Sequence, residues 1–385
     1  MYDTVIVGAG LAGSVLARQL AEIGGKRVLL VEKRTHIGGN CYDSYDRHGV
    51  LVHKYGPHLF HTSNKEVFDY LGRFTEWHEY QHRVLAAVDG KKVPVPFNLN
   101  SLEMLFPKSM AESLEKKLVE RFGFGVKVPI LELIKTDDPE LKALADFIYQ
   151  KIFYNYTLKQ WGFGPEDISP EVMERVPVFI SRDNRYFQDT YQAVPKFGYT
   201  RMFRNMMDHP DIHTMLNTDY KDIVAVDMAD GGMKLFGDPF EGDLIFTGMI
   251  DELFAFRFGQ LPYRTLDFSF ESLEQEYFQE VAVVNYPNDF DFTRITEFKR
   301  IHGQKLKHTT LLREYPRDYE SVGKEADTPC YPVFKDANLA QYEKYLHFSG
   351  KFPKLTLVGR LAEYRYYDMD DIVARALEVF DQKFS

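Results

Sequence analysis

A short apolar run, Val5-Ile-Val7, breaks at Gly8-x-Gly10-x-x-Gly13, and Ser14 to Ala21 continues as a helix former. A second apolar run, Val28 to Val31, ends in Glu32. Strand, glycine turn, helix, strand and acid in that register prescribe a parallel βαβ unit of the dinucleotide-binding type. The glycines permit the tight turn, close backbone approach to a pyrophosphate, and close packing of helix on strand. The helix N-terminus then faces the phosphates, and Glu32 can accept from a ribose hydroxyl. Three glycines alone are weak evidence, because an α/β protein that binds nothing can contain such a turn. With strand, helix and acid in place the reading becomes specific.

At 385 residues the chain exceeds one compact core and calls for two or three domains. Its formal charge of −10 argues against general binding to nucleic acid or to an anionic membrane. An anionic substrate must therefore be held by local arginines. With 44% apolar residues and a mean hydropathy of −0.34, the chain reads as a soluble globular protein. No run approaches the roughly 18 apolar residues of a membrane span. The first strand lies too near Met1 to leave room for a signal or transit peptide. Two cysteines, Cys41 and Cys330, fit a reducing compartment, so a cytoplasmic location is expected. The compositional outlier is aromatic content, with 24 Tyr and 31 Phe, enough for a core and also for a site that holds a base or sugar.

Residues 2–75 alternate strand and helix, with a second glycine turn at Gly38-Gly39-Asn40, a strand over 49–53 and an ordered loop over 55–61. Residues 84–95 read as a hairpin turned at Asp89-Gly90. From Ser101 to about Gln160 the apolar period becomes helical, most clearly over 111–122 and 139–149. Glycines and prolines over 162–170 predict a mobile loop. Strand-like runs follow at 244–247, 282–286 and 292–298. The last strand, 355–358, leads into Gly359-Arg360 and a helix headed by Asp368. That ending suits a second contact for a large dinucleotide, and simple closure of the sheet explains it as well.

Three features favour FAD over NAD: the N-terminal anchor, the Gly38-Gly39 turn after the acidic strand end, and the return of the C-terminus toward the cofactor. The expected architecture is α/β. A discontinuous Rossmann-like FAD-binding domain uses residues 1–80, 199–250 and 355–385. A helical insertion spans 100–185 with its mobile loop at 162–180, and an antiparallel β-sheet substrate domain takes 81–99, 186–198 and 251–354.

Eight ordered blocks then carry a resemblance along the whole chain. They are Val7-Gly-Ala-Gly10, His36-Ile-Gly-Gly-Asn40, Tyr55-Gly-Pro-His-Leu-Phe-His61 and Tyr156-Thr-Leu-Lys-Gln-Trp-Gly162. The others are Pro195-Lys-Phe-Gly-Tyr-Thr200, Tyr263-Arg-Thr-Leu-Asp-Phe268, Thr293-Arg-Ile-Thr-Glu297 and Gly359-Arg-Leu-Ala-Glu-Tyr-Arg-Tyr-Tyr-Asp-Met-Asp370. The chain resembles the UDP-galactopyranose mutases of bacteria. The resemblance implies an isomerase that interconverts UDP-galactopyranose and UDP-galactofuranose, supplying galactofuranose for cell-surface glycans. It implies non-covalent FAD, active as FADH−, whose N5 attacks the anomeric carbon and displaces UDP, with no net redox change. It also implies a homodimer. The alternative is an FAD oxidoreductase of the amine-oxidase or desaturase type, which shares the N-terminal unit.

The resemblance assigns catalytic roles to Arg175, Arg294 and His61, the two guanidiniums meeting the charge that grows on the leaving diphosphate. The cofactor falls to Gly8, Gly10, Gly13, Glu32, Gly38, Gly39, Asn40, His58, Arg360, Asp368 and Met369. Asp368 can contact substrate or flavin, or simply cap the last helix. For the substrate the candidates are Phe153, Tyr156, Thr157, Trp161, Tyr186, Phe187, His82, Tyr315 and Tyr366, with Tyr156 as the flat partner of uracil. Phe153 and Trp161 can equally well be packing of the helical segment. His82 stands where some relatives carry Asn. His53, His58 and His61 match no recognised metal spacing, so no metal is expected.

Overall fold

The first apolar run forms the strand Thr4–Val7, and all four of its residues are buried. A strand covered on both faces belongs inside a parallel sheet. Thr4–Val7 is indeed the centre of a five-stranded parallel sheet. Val28–Val31 and then Ile212–Met215 lie on one side, Asp243–Phe246 and then Leu355–Leu357 on the other. These strands come from the three separate segments expected to build the cofactor unit. The strand order reverses beside Thr4–Val7, the position where an open parallel sheet leaves a crevice for a ligand. The computed structural model describes residues 1–164, 177–229, 231–319 and 328–385.

Both sheet faces are covered. Helices Leu11–Glu22, Tyr199–Met207 and Met369–Lys383 bury Val15, Leu16, Phe203 and Val373 against one face. The helix Asp336–Ser349 brings Tyr345 and Phe348 to the other, against Val5, Leu29 and Phe246.

A second, seven-stranded sheet runs in the order Tyr331–Pro332, Tyr263–Leu273, Thr309–Asp318, Arg294–Glu297, Val283–Asn285, Val84–Val88, Lys91–Val95. The last two form the expected hairpin. Its turn residues Asp89 and Gly90 both have positive φ, 48° and 78°, as the mirror-image turns of tight hairpins require. Pairing is antiparallel throughout except between Val283–Asn285 and Val84–Val88, which run parallel.

The helices Leu99–Leu105, Lys108–Phe122, Ile130–Ile134, Pro139–Ile148 and Asn155–Trp161 occupy the segment expected to be helical. Leu114, Leu141, Ile148 and Phe153 share one apolar cluster with Val84, Val93, Val283 and Leu312 of the large sheet. The helices are therefore continuous with the sheet core rather than a separately packed insertion. Between the last two helices Tyr149–Tyr154 is a π-helical turn. Such a turn widens the backbone ladder, and the Asn288 side chain donates to the Lys151 carbonyl at 3.0 Å.

The segment 186–198 departs from the expected division. Its strand Tyr191–Pro195 pairs with Phe60–Thr62 and Trp77–Glu79 in a separate three-stranded sheet, not with the large one. The loop expected over 55–61 accordingly ends as a strand. Among the described residues no helix is long and apolar enough to cross a membrane.

Candidate active site

The glycines of the first turn divide their duties as geometry demands. Gly8 has φ +104°, and a Cβ there would lie 2.1 Å from Thr247 Oγ1. A Cβ on Gly13 would lie 1.9 Å from the Gly8 carbonyl oxygen. Those two glycines serve the fold. Gly10 differs, because a Cβ there would meet only Gly39 Cα at 3.8 Å and otherwise project into the crevice. Its lack of a side chain leaves room for a ligand. The second glycine turn braces the first. Gly38 N–H donates to the Ala9 carbonyl at 2.8 Å, and a Cβ on Gly39 would sit 2.9 Å from Gly10 Cα.

Gly10, Glu32, Arg34, Gly38, Asn40, Thr218, Thr247, Met249, Gly359 and Arg360 line this first cavity. Buried Glu32 accepts the Ala9 and Arg34 backbone N–H groups, one on each oxygen at 3.0 Å, and keeps lone pairs for a ribose hydroxyl. Arg34 donates to Asn40 Oδ1 at 3.0 Å, while its buried Nη1 has no hydrogen-bond partner among the described residues. An orphaned guanidinium N–H in the wall fits an anionic or oxygen-rich ligand such as a dinucleotide.

A second cavity, about 490 Å³, opens between the π turn, the large sheet and the 55–61 segment. It is lined by Phe153, Tyr156, Thr157, Trp161, Tyr186, Phe187, His61, His82, Arg294 and Tyr366. Asn40, His58, Cys330, Arg360, Asp368 and Met369 line both cavities, so the two meet there.

Arg294 is placed by register. It lies opposite Glu314 on the neighbouring strand, and its Nε donates to Glu314 Oε1 at 2.7 Å. Glu314 is 1% exposed and Arg294 26%. Burial works against the guanidinium charge, but Glu314 and the Tyr156 hydroxyl outweigh it, and Arg294 is held firmly protonated. Arg360 is also half-buried. It donates to the Tyr367 carbonyl at 2.6 Å and faces the parallel rings of Tyr331 and Tyr366 at 5.2 and 5.1 Å.

Burial pushes the His82 imidazole down to about 3, helped by Arg294, and the His58 imidazole down to about 4 despite its bond to the Gly56 carbonyl. Both are neutral at pH 7. His58 N–H donates to His53 Nδ1 at 3.0 Å, and His53 Nε2 meets His302 Nε2 at 3.0 Å. Because a backbone amide can only donate, His53 carries its proton on Nε2, and the pair locks the loop beneath His58. Among the described residues no group of three His, Cys, Asp or Glu side chains is placed to hold a metal ion.

Of the expected site residues, those for the cofactor converge on the first cavity or on its glycine turn. The substrate candidates gather in the second cavity, with one exception. Tyr315 lines neither, because alternation along Thr309–Asp318 turns it away from Glu314 and edge-on to Phe292. Arg175 lies outside the described residues. Asp368 heads the final helix, its N–H donating to Asp371 Oδ2 at 3.0 Å, and it also lines both cavities. Tyr331, Asp189, Glu314 and Arg34 were not anticipated. Asp189 and Arg34 stand close to residues that were, but Glu314 and Tyr331 reach the site only through long-range pairing.

A family model described as UDP-galactopyranose mutase matches residues 151–366, and one described as an NAD(P)-binding Rossmann-like domain matches residues 6–74. The chain is 35% identical to a probable UDP-galactopyranose mutase of Klebsiella pneumoniae, over 100% of this chain and 95% of the relative. It is 33% identical to a dTDP-fucopyranose mutase of Escherichia coli, over 98% of this chain and 97% of the relative. A crystal structure of reduced UDP-galactopyranose mutase has the same fold, with a TM-score of 0.73 at 18% identity over 99% of this chain and 93% of that one.

Proposed function

The chain belongs to the UDP-galactopyranose mutase family, and from that membership we propose a flavin-dependent isomerase that interconverts UDP-galactopyranose and UDP-galactofuranose. The observation that carries this reading is the junction of the two cavities. Asn40, His58, Arg360 and Met369 line both the cavity at the glycine turns, which would hold the dinucleotide, and the second cavity, whose adjoining end would take the sugar. The parallel-sheet unit then holds FAD, and the large sheet with its helices holds the nucleotide sugar.

Reduced FAD, when bound there, would supply the nucleophile for the anomeric carbon. The chain supplies the rest. Tyr156, with Phe153 and Thr157 beside it, offers a flat, half-polar seat for the base. Arg294 meets the diphosphate with its remaining N–H donors while Glu314 fixes its Nε. Its charge is already oriented when negative charge grows on the leaving group. We assign the second guanidinium to Arg175 from the resemblance alone. The walls of His58, Tyr186, Phe187 and Met369 limit water around the reacting atoms. A cytoplasmic homodimer that feeds cell-surface glycans completes the proposal.

An oxidase reading is less well served. A cationic amine has no use for Arg294 and Arg360 in one cavity.

The test is turnover. Dithionite-reduced, FAD-loaded protein is incubated with UDP-galactofuranose and, separately, with dTDP-fucofuranose, and the pyranose products are followed by chromatography. The expected result is conversion of the UDP sugar by reduced protein only. Failure with UDP-galactofuranose overturns the assignment, and preference for the dTDP sugar redirects it within the family.

A further inference from the structure

Resting on that reading, we propose that His61 carries protons at the sugar and that Asp189 is the residue that positions it to do so. His61 Nδ1 lies 3.1 Å from Asp189 Oδ2, whose other oxygen faces Ser63 Oγ at 3.4 Å. The imidazole is stacked on Phe187, centroids 3.6 Å apart and planes 18° from parallel. Both His61 and Asp189 line the substrate cavity. A carboxylate can only accept, so it keeps the proton on Nδ1 and leaves Nε2 as the atom that can take or give one. Among the described residues Nε2 bonds to no protein group, and Phe187 holds the ring plane.

The pair stands at the sugar end. His61 follows three positions after His58, a junction residue, and its strand Phe60–Thr62 packs against the final helix, which begins at the junction residue Met369. The reaction needs such a group. From pyranose to furanose the C1–O5 bond breaks with its electron pair left on O5, and C1–O4 forms from a lone pair of O4. O5 must gain a proton and O4 must lose one, with no electrons gained or lost overall. A protonated Nε2 gives its proton to O5, then takes the one from O4, and ends as it began. The other imidazoles in the wall are poorly suited. Burial depresses His58 and His82, and His58 has its Nδ1 committed to the Gly56 carbonyl.

The experiment uses reduced holoenzyme and UDP-galactofuranose. Asp189→Asn keeps the shape but lets an amide N–H donate to Nδ1, which moves the imidazole proton to Nε2. The expected result is a kcat lower by about 100-fold or more. KM, the dissociation constant for UDP and the melting temperature stay near wild type. His61→Gln falls as far, and the double variant falls no further, because the two act as a unit. A single variant within about 3-fold of wild-type kcat overturns the proposal, as do losses that multiply in the double variant. So does a parallel loss of UDP affinity, which would mark a packing role. Wild type run alongside separates the two readings: no turnover by wild type defeats the mutase assignment itself, and turnover unaffected by the variants defeats only the dyad.

Discussion

Arg294→Ala removes two things that can be measured apart. The first is the partner of a carboxylate that is 1% exposed, bonded to it at 2.7 Å. Stranding one member of a fully buried pair costs about 3–5 kcal/mol. Because the Arg294 side chain is 26% exposed, water softens the loss, and about 2–4 kcal/mol is expected. The second is the donor set aimed at the diphosphate. Losing one preorganised donor to a developing anion costs roughly 3–4 kcal/mol of transition-state stabilisation, so kcat falls about 10²- to 10³-fold. A second variant, Arg294→Met with Glu314→Leu, dissects them. It leaves no charge stranded, and well-packed apolar replacements of buried pairs are neutral or stabilising. Denaturant unfolding should show the stability recovered, while chromatographic turnover of UDP-galactofuranose stays as low as in the single variant. Activity of Arg294→Ala within about 10-fold of wild type refutes the diphosphate assignment. A double variant as unstable as the single one refutes the ion-pair argument.

Gly8→Ala and Gly10→Ala should differ in kind: the first meets Thr247 Oγ1 and prevents stable folding, whereas the second folds but holds less FAD, read as flavin absorbance per protein. Equal flavin content in Gly10→Ala and wild type contradicts the reading of the crevice. Tyr156→Ala should weaken UDP binding by roughly 10- to 100-fold, the worth of a stacked base, while Tyr315→Phe leaves turnover unchanged. Acid should destabilise the fold. Burial depresses His53, and also His58 and His302 to about 4 and His82 to about 3, so the unfolded chain binds more protons below the free-histidine value of 6.5. Stability present above 6.5 is lost as the pH falls from there toward 4, at up to about 1.4 kcal/mol per pH unit for each histidine. A melting temperature that stays flat between about pH 7 and 5 contradicts it.

The parts of the fold written in local chemistry were the parts that could be read. Three glycines, an acid and an apolar period gave the central βαβ unit, and Asp89-Gly90 gave a hairpin. What escaped was pairing between distant segments. Nothing near Tyr191 says that it lies against Thr62, and nothing near Val84 foretells a parallel partner at Val283. The site shows the same boundary. Tyr156 and Arg294 were accessible because neighbouring residues form recognisable blocks. Glu314 reaches Arg294 only through strand register, and that register also turns Tyr315 away from the cavity. A one-residue difference along a strand decides which face a side chain occupies, and the motif does not record it.

Asn40, His58, Cys330, Arg360, Asp368 and Met369 wall both cavities, and this ties two equilibria into one. If filling the first cavity fixes those side chains and thereby raises affinity in the second by some factor, filling the second must raise affinity in the first by the same factor. A saturating nucleotide sugar would then retard cofactor loss, and a preparation stripped of cofactor would misreport how well the sugar is held. The order in which the two are loaded changes only the route, since the free energy of the doubly filled state is common to both.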